Sequence, residues 1–496
     1  MGEGQGWLWE PTFNRSIKVR QRDTRLTGDA GLLLIREADH RLSLTADLAA
    51  AMHDPRDPQK TRYSMRELLR QRLYALIHRH SAQDDLDALA HDVAMRLAVW
   101  DRPGPRMADE RLASQPTHSR LIDTLAAAKA NRQALRHALA TSILRHQRAA
   151  GPDRAVRRGT LDIDSFPLSL CGRQAGGAYN GYYRDRIYHP LVASFAAGGD
   201  YDSPRLGDGF VHAILRRGNA AAAQGAVRFI LTAVAQARLL AHHLDVRFDA
   251  AFTIGPVMDP LCDKGIRFVG RLRNNAALDE LAAPYLKRPP GRPPKGGYEY
   301  AIDLGSYRVP SWRHAQRLIL VIVDQPDPRT GQLNLLPDYF FLIGNWPPDQ
   351  ISAWGLLEHY RGRGTFEDRF GEFNQTMDPH LSSPEFAENE ATFLLSLLAF
   401  NLGGILRGEM EMATPESGWD LRRLVGSVLK AGGRVVQHSR RLMVDLAASA
   451  APLWSLLLGR IRNWRLPTRW AVPRLPVARP WMPPPAHAHR TLVLRL

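Results

Sequence analysis

The chain has 496 residues, of which 44% are hydrophobic and 23% charged. That is the balance of a globular protein able to bury cores in roughly two or three domains. Its net charge of +16 and pI near 10.2 point to a polyanionic partner, nucleic acid ahead of a membrane surface. Two cysteines, Cys171 and Cys262, exclude a disulfide framework and a Cys-rich zinc site. The N-terminus lacks a basic n-region and a long apolar run, so no signal peptide is expected. The most apolar stretch, 391–406, carries Asn401 and is short for a membrane span. A buried helix, no membrane partner and a cytoplasmic, nucleoid-associated location are therefore expected.

In chain order, residues 1–26 read as a basic arm with Lys18, Arg20, Arg22 and Arg25. Residues 27–150 have helical periodicity and read as a DNA-binding domain. Helices are expected over 28–39, over 43–52 and from Ser64 to Arg79, where Ser64-Met-Arg-Glu67 has the form of a capping box. This third helix carries Arg66, Arg70, Arg72, His78 and Arg79. A segment over 84–99 follows, then a helix N-capped by Ser114 with Pro116 in its first turn. Thr117, Ser119 and Arg120 would then stand at a helix start suited to phosphate or base contact; a capped structural helix explains them equally well. One long helix is expected over about 119–149.

Residues 157–262 read as the first part of an α/β catalytic core. Strands are expected at 160–166, 188–197, 208–216 and 246–251, with a helix over 219–243. The stretch Gly176-Gly-Ala-Tyr-Asn-Gly-Tyr-Tyr183 reads as a loop over the active site. Residues 263–345 read as β-rich, with a basic Pro-rich loop at Lys287–Lys295. Residues 346–407 hold the second part of the core, including a long apolar helix from Pro384 to Arg407. Residues 408–464 form a basic C-terminal region with a strand or hairpin at 433–446 and a helix at 452–464. Residues 465–496 are a tail too Pro-rich to fold alone.

The chemistry concentrates in Tyr360-Arg-Gly-Arg-Gly-Thr-Phe-Glu367 and its continuation to Asn374. If the helix beginning near 349 runs through, Tyr360, Arg363, Glu367 and Asn374 share one face. An ordinary charged helix surface would look the same. Gly362 and Gly364 weaken the helix and also open space for a phosphate. Upstream, Asp162 and Asp164 end one strand and Asp249 ends another. Three carboxylates from two strands and a helix suit a pair of Mg²⁺ ions clamping a scissile phosphate.

The motifs Leu161-Asp-Ile-Asp164, Ala178-Tyr-Asn-Gly-Tyr-Tyr183, Tyr188-His-Pro-Leu191, Leu215-Arg-Arg-Gly-Asn219, Phe248-Asp-Ala-Ala-Phe252, Tyr360–Glu367 and Leu397-Leu-Ala-Phe-Asn-Leu402 occur in this order. Asp54-Pro-Arg-Asp57 and Leu112-Ala-Ser-Gln-Pro-Thr117 precede them. Together they resemble the DDE transposases of bacterial insertion sequences, in the branch labelled thirteen-eighty. The resemblance implies an RNase H-like core interrupted by a β-rich insertion domain at 263–345. It implies Asp164, Asp249 and Glu367 as catalytic, metal-binding acids using Mg²⁺ or Mn²⁺, two ions in all. Asp162, on the same strand face as Asp164, remains open as the first acid. Tyr360 and Arg363 match the family's Tyr-x₂-Arg-x₃-Glu motif and would hold end phosphates. Where the motif expects Lys the chain has Asn374, so Arg369 is a candidate substitute. Trp346 could stack on a flipped base or simply pack. Double-stranded DNA and a homodimer are the implied partners. A decayed relative and a non-enzymatic DNA-binding protein are the competing readings.

Overall fold

The computed structural model describes residues 8, 11–14, 16–19, 24–102, 104–151, 156–198, 207–288, 297–326, 329, 332, 336–415 and 418–465. Most of the Pro-rich loop at 287–295, Arg20 and Arg22 of the basic arm, and the tail beyond 465 lie outside the described residues.

An eight-stranded sheet organises the molecule. In chain order its strands are Arg158–Ser165, Leu191–Ala197, Gly209–Ile214, His243–Phe248, Arg267–Leu272, Tyr298–Tyr307, Gln316–Asp324 and Asp338–Gly344. Their spatial order is sixth, seventh, eighth, fifth, fourth, first, second, third. The first three strands run antiparallel, while the fourth lies parallel to the first and the fifth parallel to the fourth. The β-rich region at 263–345 is thus not a separate sheet. Its strand Arg267–Leu272 pairs with His243–Phe248, and three antiparallel strands continue the same sheet outward.

Alternation along the first strand sends Leu161 and Ile163 into a core shared with the helix Ala226–Ala237. The opposite face receives Phe366, Phe370 and Phe373 and, behind them, the helix Phe386–Ala413. That helix is long and apolar enough to cross a membrane, yet its apolar stretch is almost entirely buried inside the fold. Its polar exception has a local reason. The Asn401 amide accepts from Phe210 N at 2.8 Å and donates to Phe210 O at 2.8 Å, satisfying the open edge of the third strand.

The N-terminal helices Leu32–Leu42, Leu44–Ala51, Met65–Ile77 and Gln115–Ala127 share this core with Phe386–Ala413 and with Ala451–Arg462 near the C-terminus. Strand Arg25–Thr27 pairs with the hairpin Gly433–His438/Arg441–Leu446, so segments more than 400 residues apart in the sequence meet in one small sheet.

Several local expectations change. The long helix expected over 119–149 is two helices, Gln115–Ala127 and Lys129–Ala150, with Ala128 extended between them. Buried Asn131 stabilises the break by donating to the Thr124 carbonyl at 2.9 Å and to His53 O at 3.0 Å. The segment over 84–99 also divides, into Asp85–Leu89 and Val93–Val99, the second capped by Asp92. The strand expected over 188–197 divides as well. Asp185–Tyr188 joins a small sheet with 168–169 and 178–180, and only Leu191–Ala197 enters the large one.

Ser64 and Glu67 do form the capping box of Met65–Ile77, an arrangement worth about 1 kcal/mol. The arginines of that helix do not all face DNA, however. Arg70 is buried against Asp101 at 2.6 Å, and buried Arg72 donates to Ser81 O at 2.8 Å. A helix that is apolar on several sides buries its charged residues too, and each then needs a partner.

Candidate active site

The first and fourth strands run parallel with Ile163 opposite Phe248, so Asp164 and Asp249 emerge side by side at the same carboxyl edge. The third acid arrives from the helical segment after the last strand. Its lead-in helix, Ala353–Arg361, is capped by Ser352, which accepts from Gly355 N at 3.0 Å. The helix does not run through to Asn374. It stops at Gly362, and Gly364–Met377 begins anew with Arg363 at the N-cap position.

Two buried ion pairs fix the second helix. Arg369 pairs with Asp208 at 2.6 Å and donates to Phe195 O at 3.1 Å. Glu372 accepts from Arg407 at 2.6 Å. With that side pinned, Glu367 faces outward, its side chain 69% exposed.

Arg363 sits at the junction and ties the acids together. Its guanidinium forms an ion pair with Asp164 and lies 3.6 Å from Glu367. Burial raises the Asp164 carboxyl to about 6. Arg363 and a 2.8 Å hydrogen bond from Ser165 N oppose that shift, while Asp249 and Glu367 add to it. The Tyr360 hydroxyl is also raised, first by burial and then by Asp249 and Asp164, against the pull of Arg363 and Arg271. Tyr360, Arg363, Asp164, Asp249 and Glu367 therefore share one electrostatic neighbourhood despite the helix break.

Asp162 is held differently. Both of its oxygens accept from Arg247 at 2.7 Å, and the aspartate is 1% exposed. Arg247 also donates to His359 O at 2.8 Å, fastening the lead-in helix to the strands. Sequence reading missed Arg247, although a signal existed. Asp245, Arg247 and Asp249 occupy alternate positions of a strand otherwise read as buried, so their side chains share a face.

The other expected residues fare unevenly. Arg369 is not a phosphate contact in this arrangement, because its guanidinium is buried in the pair with Asp208. Asn374 is exposed on the same helix as Glu367, about two turns on. Thr117 and Arg120 line a cleft of about 510 Å³ together with Arg56, Lys60 and Arg62. Ser119 faces inward, donating to Gln83 at 3.0 Å and accepting from Gln115 at 3.1 Å. Ser114 stands at the N-cap without a side-chain capping bond. Trp346 is 7% exposed and belongs to the core under the lead-in helix, so in this structure it packs.

The carboxylates are hard oxygen donors of the kind Mg²⁺ or Mn²⁺ takes. Their placement does not yet suit an ion. Among the described residues no group of three His, Cys, Asp or Glu side chains is close enough to hold one, and the Asp164 carboxylate is engaged by Arg363.

A family model described as transposase DDE domain group 1 matches residues 9–465. Among solved structures the chain is similar to a piggyBac transposase, imaged by cryo-EM as a synaptic complex with hairpin DNA. The identity is 13% and the TM-score 0.42, over 89% of this chain and 83% of that one. No curated protein matches the chain.

Proposed function

The chain belongs to the transposase DDE domain group 1 family, and we propose that it moves a bacterial insertion sequence, with Asp164, Asp249 and Glu367 as its catalytic acids. In this reading the protein binds the terminal inverted repeats of its element as a homodimer. It then catalyses metal-dependent strand cleavage and strand transfer. The observation that carries the assignment is the junction at Arg363, where one guanidinium meets Asp164 and approaches Glu367 beside the strand end that bears Asp249.

The strand order third, second, first, fourth, fifth, with the last two parallel, supports an RNase H-like core. The three outer antiparallel strands are then the β-rich insertion, grafted onto the edge of that core.

Tyr360 and Arg363 are the groups positioned to hold a DNA phosphate at the carboxyl edge. The cleft of Arg56, Lys60, Arg62 and Arg120 is the surface proposed for end binding, by charge neutralisation of the backbone. Divalent ions, Mg²⁺ or Mn²⁺ and two in number, would supply stabilisation of the attacking and leaving oxygens. The acids can share them only once Arg363 leaves Asp164. Phosphate is the ligand suited to draw a guanidinium away.

Asn374, exposed where the family motif expects Lys, favours one second reading: a relative that still binds DNA but has lost cutting. One assay separates the two. With DNA spanning the ends of the encoding element, wild-type protein cuts only with Mg²⁺ or Mn²⁺. Glu367→Ala binds that DNA in gel shift as wild type does and does not cut. Wild-type cutting without divalent metal, or undiminished cutting by Glu367→Ala, defeats the proposal; a wild type that binds and never cuts supports the decayed relative.

A further inference from the structure

At the opposite edge of the large sheet stands a cationic cleft that takes no part in the acid site. Its volume is about 420 Å³, and Arg148, Arg238, Arg465, His242 and Gln147 supply its polar side chains. They come from three separate places: the end of helix Lys129–Ala150, the turn after helix Ala226–Ala237, and the chain just past helix Ala451–Arg462. Strand direction fixes the location. His242 directly precedes strand His243–Phe248 and Asp249 directly follows it, so roughly 20 Å of strand separates cleft from acid at about 3.3 Å per residue.

Backbone hydrogen bonds tie the walls together. Arg465 N donates to Ala149 O at 2.9 Å, and His242 N donates to Val156 O at 3.2 Å. Arg41 donates to the carbonyl of Trp464 at 3.0 Å, and Trp464 itself is buried. Arg465 therefore springs from a fixed backbone.

The charge of the cleft is uncompensated. No Asp or Glu lines it. Among the described residues the guanidiniums of Arg148, Arg238 and Arg465 have no ion pair or hydrogen bond, and all three residues are exposed. The Gln147 amide nitrogen is buried without an acceptor. Arg148 and Arg238 stand at helix C-termini, where a cation offsets the helix dipole. That local role does not account for a third arginine and an unsatisfied donor on the same cleft. Like charges gathered there repel one another and concentrate an anion instead.

We propose that this cleft is a second DNA site, gripping the phosphate backbone of a duplex segment at the sheet edge opposite the acids. The inference rests on reading DNA as the substrate, and not on which acids cut it. Guanidinium and amide N–H groups are donors, and phosphate oxygens are acceptors that carry the charge the cleft lacks. Contacts of this kind hold a duplex without reading its sequence.

The test uses the full-length protein and a random-sequence duplex without the element's ends, in the absence of divalent metal. Affinity is followed against salt. Arg148→Gln/Arg238→Gln/Arg465→Gln should flatten the slope of log K against log salt by about 2–3, since each lost phosphate contact removes about 0.9. Thermal stability should be unchanged, and lysine at the same three positions should restore the slope. Arg228→Gln/Arg308→Gln/Arg422→Gln removes equal charge from exposed positions elsewhere and should keep the wild-type slope. An unchanged slope in the cleft variant overturns the proposal, whether or not its stability falls. Equal flattening by the control variant overturns it too, as does absence of binding by wild type. Failure of the acids reads differently: undiminished cutting of end DNA by Glu367→Ala would defeat that assignment and leave the slope result standing.

Discussion

Asp162 and Asp164 stand two residues apart on one face of one strand, each against an arginine, yet they belong to different kinds of place. The Asp162–Arg247 pair is closed: both carboxylate oxygens are used, both residues are buried, and the arginine's third nitrogen, Nη1, donates to a backbone carbonyl. The Asp164–Arg363 pair is open, with an exposed Glu367 beside it and Asp249 on the next strand. The comparison teaches that an arginine–carboxylate pair becomes a site when its partners can be exchanged. A saturated pair holds the scaffold, whereas a pair at the strand edge can trade a guanidinium for a phosphate or an ion.

The largest expected effect follows directly. Asp164→Asn should reduce cutting of end DNA by roughly 10²–10³-fold or more without lowering thermal stability at neutral pH, where the ionised Asp164 is disfavoured by burial. Asp162→Asn should instead lower stability by about 3–5 kcal/mol, because Arg247 is left as an uncompensated buried charge. Denaturant melts run beside cleavage assays read both quantities. Exchange of the two outcomes would make Asp162 the catalytic acid.

pH should separate the two regions by sign. His359, in the closed region, is lowered to about 4 by burial, then by Arg247 and Arg158. Its folded form binds fewer protons than the unfolded chain between about 4 and 6.5, so stability falls across that window on acidification, by up to about 3 kcal/mol. Asp164 is raised to about 6, so its contribution is full below the ordinary carboxylate value and is lost as pH rises through about 6. His359→Gln should flatten the acid limb of the stability profile, and Asp164→Asn should steepen it. Equal effects of the two variants would erase the distinction.

Arg363→Ala gives a smaller effect and sharpens the idea of exchange. It should weaken end binding about tenfold through the lost charge-assisted contact. It should also let the DNA-free protein take up Mn²⁺ more tightly, since Asp164 no longer has a resident cation. Mn²⁺ titration followed by electron paramagnetic resonance reads the second change. Unchanged or weaker uptake would show that Arg363 does not compete with the ion.

What the sequence by itself determined is the chemistry that local rules carry. The capping box at Ser64 follows from side-chain reach, and the strand ends at Asp164 and Asp249 follow from alternation. The long apolar helix follows from its composition, and the acid motif from the order of its residues. Tertiary structure decided which of those charged groups are free. The break at Gly362 is visible locally only as two glycines, yet Tyr360, Arg363 and the acids remain neighbours across it because Arg247 and Asp208 anchor the two helices separately. Arg369 looked available because burial by a segment more than a hundred residues away leaves no trace in its own neighbours. That the outer strands extend the central sheet was not legible either, since strand pairing between distant segments has no local signature. Charge and periodicity are properties of a stretch, whereas exposure and partnership are properties of the whole fold, and the distinction between Asp162 and Asp164 rests on the latter.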